Sequence, residues 1–347
     1  MTVRLVMKAA VFHGPGHLEV EERPVPDIGP DDVLLEVEAC GICGTDQHIL
    51  HGEYAARVPC VLGHEFAGIV RDRGARVRNV EIGDRVTIEP HRFCGVCKFC
   101  RIGKEHLCLN KLAYGVHLDG GLADYCAVPA RTAYRLPSSM PARIGCLTEP
   151  LACCVHSIDR LNLRAGQSLV IIGAGPIGLL MTQLSRLQGA SPVVVVEPNH
   201  ARRDTALMMG ADHALDPTSS AFTEHVHELT EGLGFDAIIE AVGRAETFEL
   251  ALDLAARAST ILVFGVAPPD LTVPVRPNAI YAKELTLVGS VINPYTHHRG
   301  VELLPRLDFS RFTIKTYPLD AVAAALDAQR SGQAIKIEIA PAALRPH

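Results

Sequence analysis

No stretch of this 347-residue chain is apolar for long enough to cross a membrane. The longest apolar runs, around Ser168–Ile172 and Val193–Val196, are strand-length, far short of the ~18 residues a spanning helix needs. Nor is there an excess of basic charge: 33 Lys and Arg face 39 Asp and Glu, for a net charge of −6. Without a basic stripe to meet phosphates, a general nucleic-acid binder is excluded. Internal repeats and low-complexity tracts are absent. The N-terminus carries Arg4 and Lys8 but no sustained apolar core or cleavage pattern, so no signal peptide is expected. Eleven cysteines in such a chain read as thiols and metal ligands rather than disulfides, and a cytoplasmic location is expected. What is present, 48% hydrophobic and 21% charged residues, fits a soluble globular protein of one or two domains.

The chain changes character near Ile144. Before it, short strand-like segments (Met7–His13, Val33–Ala39, Phe66–Arg71, Arg85–Ile88) alternate with Gly, Pro and Asp. Residues 91–121 show no period and are dense in Cys, Gly and Lys, so this loop needs something to order it; residues 122–136 return to a strand pattern. After the change, helix and strand alternate. Helices are expected at Leu147–Asn162, Pro176–Gln188 and Ala201–Met209. Strands are expected at Ser168–Ile172, Val193–Glu197, Ala237–Ala241, Thr260–Phe264 and Thr286–Gly289. Such alternation predicts a parallel sheet with helices on both faces. A helix at Ala321–Arg330 and a strand at Ala334–Ile339 close the chain.

The ordering agent of the loop is legible in Cys94, Cys97, Cys100 and Cys108. One or two free cysteines would be read as small buried hydrophobes. Four within fifteen residues can converge as thiolates on one tetrahedral Zn²⁺, a closed structural site. A redox disulfide pair and an iron–sulfur cluster are the competing readings. Lys98, Arg101 and Lys104 would partly offset the thiolate charge, and metal binding would order a loop without a core.

A second metal candidate lies upstream. Cys43 is followed by Thr45, Asp46 and His48, and then by His64 and Glu65. A thiolate, an imidazole and a carboxylate make a plausible catalytic zinc set with one position open. Glu149 is a further carboxylate candidate. The alternatives are ordinary ones: a lone His is more often a satisfied polar residue, and Glu149 before Pro150 fits a helix start facing the macrodipole.

The third constellation is Gly173-x-Gly175-x-x-Gly178. Gly173 ends an expected strand, Gly178 lies in the following helix, and Glu197 ends the next strand. Two glycines permit a tight turn and close approach of backbone N–H groups to a pyrophosphate; the third allows helix and strand to pack closely. Glu197 is placed to accept from the adenosine ribose hydroxyls. Its charge opposes a 2′-phosphate, which favours NAD over NADP. Arg202 and Arg203 pull the other way, and an acid that merely ends a strand is the alternative.

With these three constellations in this order, the chain resembles the zinc-dependent medium-chain dehydrogenases of the alcohol, polyol and threonine type. The resemblance covers essentially the whole length. Its motifs are GHEFAG at 63–68, the four-cysteine lobe, GGLADY at 120–125, EPLACCVH at 149–156 and GAGPIG at 173–178. It implies an α/β fold: a Rossmann doubly wound parallel sheet plus a β-rich GroES-like catalytic domain with a structural zinc lobe. The catalytic domain would comprise 1–155 and 295–347, the nucleotide domain 156–294, with the active site in the cleft between them.

The resemblance also assigns residues. Cys43 and His64 match the catalytic zinc ligands. Glu65 matches a zinc-ligating carboxylate of sorbitol-type members, and Glu149 stands where relatives use Cys, Glu or Asp, so either could complete the shell. Cys94, Cys97, Cys100 and Cys108 match the structural zinc. Thr45 matches the hydroxyl that contacts the reacting alcohol, His48 the end of a proton relay, and Asp46 a carboxylate orienting the zinc-bound imidazole. Gly173, Gly175, Pro176, Ile177, Gly178, Glu197, Arg202, Gly265, Val266 and Ser290 fall at NAD-binding positions. Arg202 matches a basic residue of NAD-using sorbitol-type relatives.

The implied chemistry is coherent: zinc lowers the pKa of a hydroxyl, Thr45 and His48 carry the proton away, and hydride passes to the nicotinamide. The expected substrate is a secondary alcohol (a polyol, cyclitol or sugar), with threonine or another amino alcohol as runner-up. Where sorbitol-type enzymes carry an Arg-Tyr pair this chain has Ile292-Asn293, a departure that speaks against sorbitol itself. His297, His298 and Arg299 could face the cleft or form a solvated helix start. A non-catalytic NAD(P)-binding structural relative is the alternative of a different class; so is a zinc-ribbon interaction protein, which the dinucleotide motif opposes. A small-molecule alcohol or ketone is the expected partner, with no nucleic acid and no membrane, in a homo-oligomer (tetramer or dimer).

Overall fold

A computed structural model describes residues Leu5–Pro341. The chain forms two compact units. One is built from the residues up to Ala152 and from Pro294 onward; the other is Cys153–Asn293. The first division falls inside the helix Thr148–Leu161, three residues before the boundary expected from the sequence.

The first unit is built on two main sheets, with a small two-stranded one in the loop 91–121. A three-stranded sheet has Val6–Gly14 at its centre, between His17–Pro24 and Cys60–Val61. The hairpin partner His17–Pro24 was not expected: HLEVEERP alternates, but four of its eight residues are acidic or basic enough to read as loop, and the strand is half-exposed. The larger sheet runs in the order Ala133–Arg135, Arg85–Ile88, Glu65–Arg73, Asp32–Gly41, Lys336–Ile339, Ile314–Tyr317, with Tyr125–Pro129 also pairing Asp32–Gly41. Strand Asp32–Gly41 alternates apolar Val33, Leu35 and Val37 on a buried face, the period-2 pattern of a half-buried strand. The C-terminal strand joins this sheet antiparallel, with Glu338 opposite Gly41 and Ile339 opposite Cys40. On the other side, Gly41 is opposite Glu65. Residues far apart in sequence thus meet around Gly41. The core gathers Val33, Leu35, Phe66, Ile88, Leu122 and Ile337, all at most 1% exposed.

The loop 91–121 is ordered by short pieces: His91–Arg92 pairs Leu112–Ala113, and a four-residue helix, Lys98–Arg101, begins after Cys97.

The second unit is a six-stranded parallel sheet. Its order is His213–Leu215, Val193–Val196, Leu169–Ile172, Phe235–Glu240, Ala255–Val263, Thr286–Gly289. Numbered along the chain, that is 3-2-1-4-5-6, the doubly wound order in which ligands bind outside the carboxyl ends of the strands. The runs LVII and VVVV are buried throughout, as central parallel strands covered on both faces must be. Helix Pro176–Gln188 starts from Gly175, with Pro176 in its first turn where a missing N–H costs nothing, and stops at Gly189 in the left-handed conformation.

Candidate functional site

Cys43 stands at the turn from strand Asp32–Gly41 into helix Gly44–Leu50. Its N–H donates to Asp46 Oδ2 at 2.9 Å, and its Sγ lies 3.7 Å from Thr45 Oγ1. His64 follows Gly63, which adopts φ +89°. The turn carrying His64 is clamped by glycines. A Cβ on Gly63 would come within 2.6 Å of Cys40 Sγ, one on Gly115 within 2.5 Å of the Gly63 carbonyl carbon, and one on Gly120 would overlap the Gly63 oxygen. Gly115 and Gly120 therefore belong to the support of this site.

Ligand atoms of Cys43, His64 and Glu65 all lie within 4.8 Å of one another, as do those of Cys94, Cys97, Cys100 and Cys108. Glu149 is buried and acts electrostatically on His64 but falls outside the first group. Burial opposes charge on His64, yet Cys43, Asp46 and Glu149 outweigh it and push its pKa well up. Burial likewise raises the Asp46 carboxyl, against the pull of His64. Buried His64 Nδ1 and Asp46 Oδ1 have no hydrogen-bond partner and stand 3.8 Å apart. A thiol, an imidazole and a carboxylate crowded within 4.8 Å of one another fit a cation at their centre.

Behind them lies Lys336, whose side chain is 5% exposed and whose Nζ pairs with Glu65 Oε2. Burial opposes its charge, but Glu65 and Cys43 hold it cationic. Gly41 leaves room for the pair: a Cβ there would lie 2.8 Å from Lys336 Cε and overlap Glu65. Lys336 carries no sequence signal of this role. In KIEI it alternates with isoleucine as an exposed residue would, yet all four residues of the strand are buried.

In the lobe, the sulfurs of Cys94 and Cys108 are 3.5 Å apart, Cys97 and Cys100 3.6 Å, Cys94 and Cys100 4.0 Å. These spacings are too long for disulfides. They match the ~3.8 Å edge of a tetrahedron built on ~2.3 Å zinc–sulfur bonds. The N–H groups of Cys94 and Asn110 donate to Cys108 Sγ and that of Cys97 to Cys94 Sγ. Backbone donors from Cys100 and Leu109 bring Cys97 down to about 6, while desolvation and the neighbouring thiols push Cys100 up to about 12. A cluster that favours thiolate at some positions and resists it at others is one a dication would resolve.

In the second unit, the candidate nucleotide residues sit at the carboxyl ends of the parallel strands. Gly173 has φ +104°, and a Cβ on Gly178 would overlap the Gly173 oxygen, so only glycine fits. Glu197 differs from expectation in detail. Both its oxygens already accept from its own surroundings: Oε2 from Ala174 N–H and Oε1 from Asn199 N–H, each 2.9 Å. It braces the glycine turn, and a carboxylate has acceptor capacity left for ribose. Arg203 is committed to the Glu197 and Pro198 carbonyls and to Asp216. Arg202 donates its N–H to the helix cap Asn199, and no bond holds its guanidinium among the described residues. Gly265 packs on Gly243 and buried Glu240, Val266 is exposed, and Ser290 accepts from Ser157 at 2.8 Å. Glu240 was missed from the sequence. It accepts from Val242 N–H, Gly243 N–H and Thr247 Oγ1 and so fixes the loop after its strand.

His297 is neither solvated nor facing outward. It is fully buried against the Tyr134 ring, 4.8 Å between centroids, with Thr87 Oγ1 3.5 Å away, and burial, then His298, lowers it to about 3.

Comparison with known proteins decides the family. Residues 29–138 match the alcohol dehydrogenase GroES-like domain and residues 176–307 the zinc-binding dehydrogenase domain. The chain belongs to the zinc-binding alcohol dehydrogenase family. It is 37% identical to L-threonine 3-dehydrogenase of Pyrococcus horikoshii over 82% of each chain. It is 32% identical to D-arabinitol dehydrogenase 1 of Uromyces fabae over 98% of this chain and 99% of that one. A zinc-binding dehydrogenase of Sinorhizobium meliloti 1021, solved with NADP, superposes with a TM-score of 0.93 at 36% identity, covering 97% of this chain and all of the other. The protein is thus a zinc-dependent oxidoreductase of the CH–OH group, with a GroES-like unit and a Rossmann unit.

Proposed function

We propose that this protein oxidises a secondary alcohol of polyol, cyclitol or sugar type with NAD, in a catalytic domain of 1–155 and 295–347 and a nucleotide domain of 156–294. The convergence of Cys43, His64 and Glu65 beside Thr45 carries the reading. When bound, zinc supplies Lewis acidity toward the substrate oxygen, and the nicotinamide supplies a hydride acceptor. Cys43 and His64 hold the metal together with Glu65 or Glu149. Glu65 is the carboxylate grouped with them, while Lys336 competes for its charge. Thr45 and His48, one helical turn apart, accept and pass on the hydroxyl proton. Asp46 fixes the Cys43 backbone and faces His64. Cys94, Cys97, Cys100 and Cys108 hold the second zinc.

Gly173, Gly175, Pro176, Ile177 and Gly178 cradle the pyrophosphate, and Gly265, Val266 and Ser290 line the nucleotide's path along the strand ends. NAD is favoured because Glu197 places a carboxylate beside the glycine turn and Arg203 is already spent on the Glu197 and Pro198 carbonyls and on Asp216.

The likeness to an L-threonine 3-dehydrogenase supports an amino alcohol as second reading. No cysteine is joined in a disulfide among the described residues, which supports a reducing, cytoplasmic location, and no helix among those residues is long and apolar enough to span a membrane. Thr286–Gly289 is the last strand of its sheet, unpaired on its outer edge among the described residues and with Leu287 exposed, which supports association of copies, as a tetramer or dimer.

The test is turnover of polyols, cyclitols, sugars and threonine with NAD and with NADP, beside zinc analysis. About two zinc per chain and NAD-dependent oxidation of a polyol are expected. Cys43→Ser should abolish turnover and remove one zinc with the fold intact. Wild-type turnover at one zinc per chain would sink the assignment.

A further inference from the structure

The proposed proton path ends at His48, and the structure places an unassigned carboxylate against it. Helix Gly44–Leu50 carries Thr45 and His48 three residues apart, on one face. The chain then folds back on the helix end. Glu53 N–H and Tyr54 N–H both donate to the His48 carbonyl, at 2.8 and 3.1 Å. This turn brings the Glu53 side chain to the imidazole, with Oε2 2.5 Å from Nδ1. The imidazole is 36% exposed and the carboxylate 52%, so the pair is open to water.

A carboxylate only accepts, so the hydrogen of this bond belongs to Nδ1. In a neutral ring the lone pair then lies on Nε2. A relay needs that distinction, because a ring free to choose its tautomer offers the accepting nitrogen only part of the time.

We propose that Glu53 is a positioning residue for proton release: it retains the Nδ1–H, leaves Nε2 as the acceptor, and faces the imidazolium formed when the proton arrives. The inference rests on the dehydrogenase reading above. The proton balance is simple. The substrate O–H breaks as Thr45 Oγ1 gains that proton and passes its own to His48 Nε2. The Nδ1–H bond to Glu53 persists throughout, and Nε2 then releases its proton to water. The relayed proton does not pass through Glu53.

The test uses the full-length zinc-loaded protein with ¹⁵N-labelled histidine, the His48 ring being assigned by its loss in His48→Ala. The wild-type neutral ring should be the Nδ1–H tautomer and Glu53→Ala mostly Nε2–H. Glu53→Gln, which keeps an acceptor without the charge, should retain the wild-type tautomer. Alcohol oxidation by Glu53→Ala should fall about tenfold in kcat at unchanged zinc content and NAD affinity, with millimolar imidazole restoring most of the loss. Glu53→Asp should recover more activity than Glu53→Gln. An unchanged tautomer in Glu53→Ala overturns the proposal. So does a changed tautomer with wild-type kcat, or a loss that imidazole does not mend. A wild type that oxidises no alcohol with either nucleotide overturns the dehydrogenase reading, and the relay role with it, whatever the tautomer shows.

Discussion

Replacing Lys336 with methionine should unfold the first unit more easily, and more so without zinc than with it. Lys336 and Glu65 are 5% and 2% exposed and pair with each other. Methionine keeps most of the volume and apolar stem but removes the cation paired with Glu65 among the described residues. Glu65 is then an uncompensated charge in the interior, a loss that typically costs about 3–5 kcal/mol. For a domain of roughly 150–250 residues, each kcal/mol moves Tm by about 2–4 °C, so a fall of about 6–20 °C is expected in the zinc-stripped protein. Bound zinc beside Glu65 supplies another positive charge, so the fall should be smaller in the loaded protein. The double variant Glu65→Gln, Lys336→Met should recover most of the loss, because no unpaired charge remains to be buried. The assay is thermal or urea unfolding of the four proteins, each measured with and without zinc. A zinc-stripped Lys336→Met within about 1 kcal/mol of wild type would refute the argument. So would a double variant as unstable as the single one.

Three further outcomes follow from distances and charges in the structure. Gly120→Ala places a methyl group against the Gly63 oxygen and 2.6 Å from Gly115 Cα, so the turn carrying His64 must shift; the catalytic zinc should be lost while the four-cysteine zinc stays, read as a drop from about two metals per chain to one. Burial raises the Glu89 carboxyl from 4.5 to about 7, against the hydrogen bond from Tyr134. The folded state therefore binds this proton more tightly, and stability should decline from about pH 4.5 to 7 by at most about 3 kcal/mol; Glu89→Gln should flatten that slope in urea unfolding, and an unchanged slope would show the carboxyl is not responsible. Glu197→Ala removes the acceptor of Ala174 N–H and Asn199 N–H together, so NAD affinity by calorimetry should weaken at least about tenfold and the preference over NADP should narrow.

What was legible in the sequence was what is local. Four cysteines within one short loop, or a glycine turn between an apolar strand and a helix, must be neighbours in space because they are neighbours in the chain. The parallel strands LVII and VVVV were equally plain, since burial on both faces leaves an unbroken apolar run. His17–Pro24 was not, because a half-exposed strand rich in glutamate carries little apolar period. His297 was misplaced for a related reason: a polar residue in His-His-Arg reads as surface, and only the packing of Tyr134 and Thr87 around it shows otherwise.

The parts of the site that were not legible share one cause. Lys336 reaches Glu65 because the last strand of the larger sheet to form in sequence, Lys336–Ile339, lies beside the same end of Asp32–Gly41 as strand Glu65–Arg73, which carries Glu65. The intervening chain builds the whole second unit before this strand returns. Cys43, His64 and Glu65 can therefore be assembled by the N-terminal segment alone, but the cation that balances them arrives only with the C-terminal one. A chain cut after the second unit would keep every residue of the metal group and lose Lys336, the cation paired with Glu65. Having lost both that cation and the core contacts of Ile337 and Ile339, such a fragment should hold its zinc-ligand turn less stably than the intact chain, however complete its motifs.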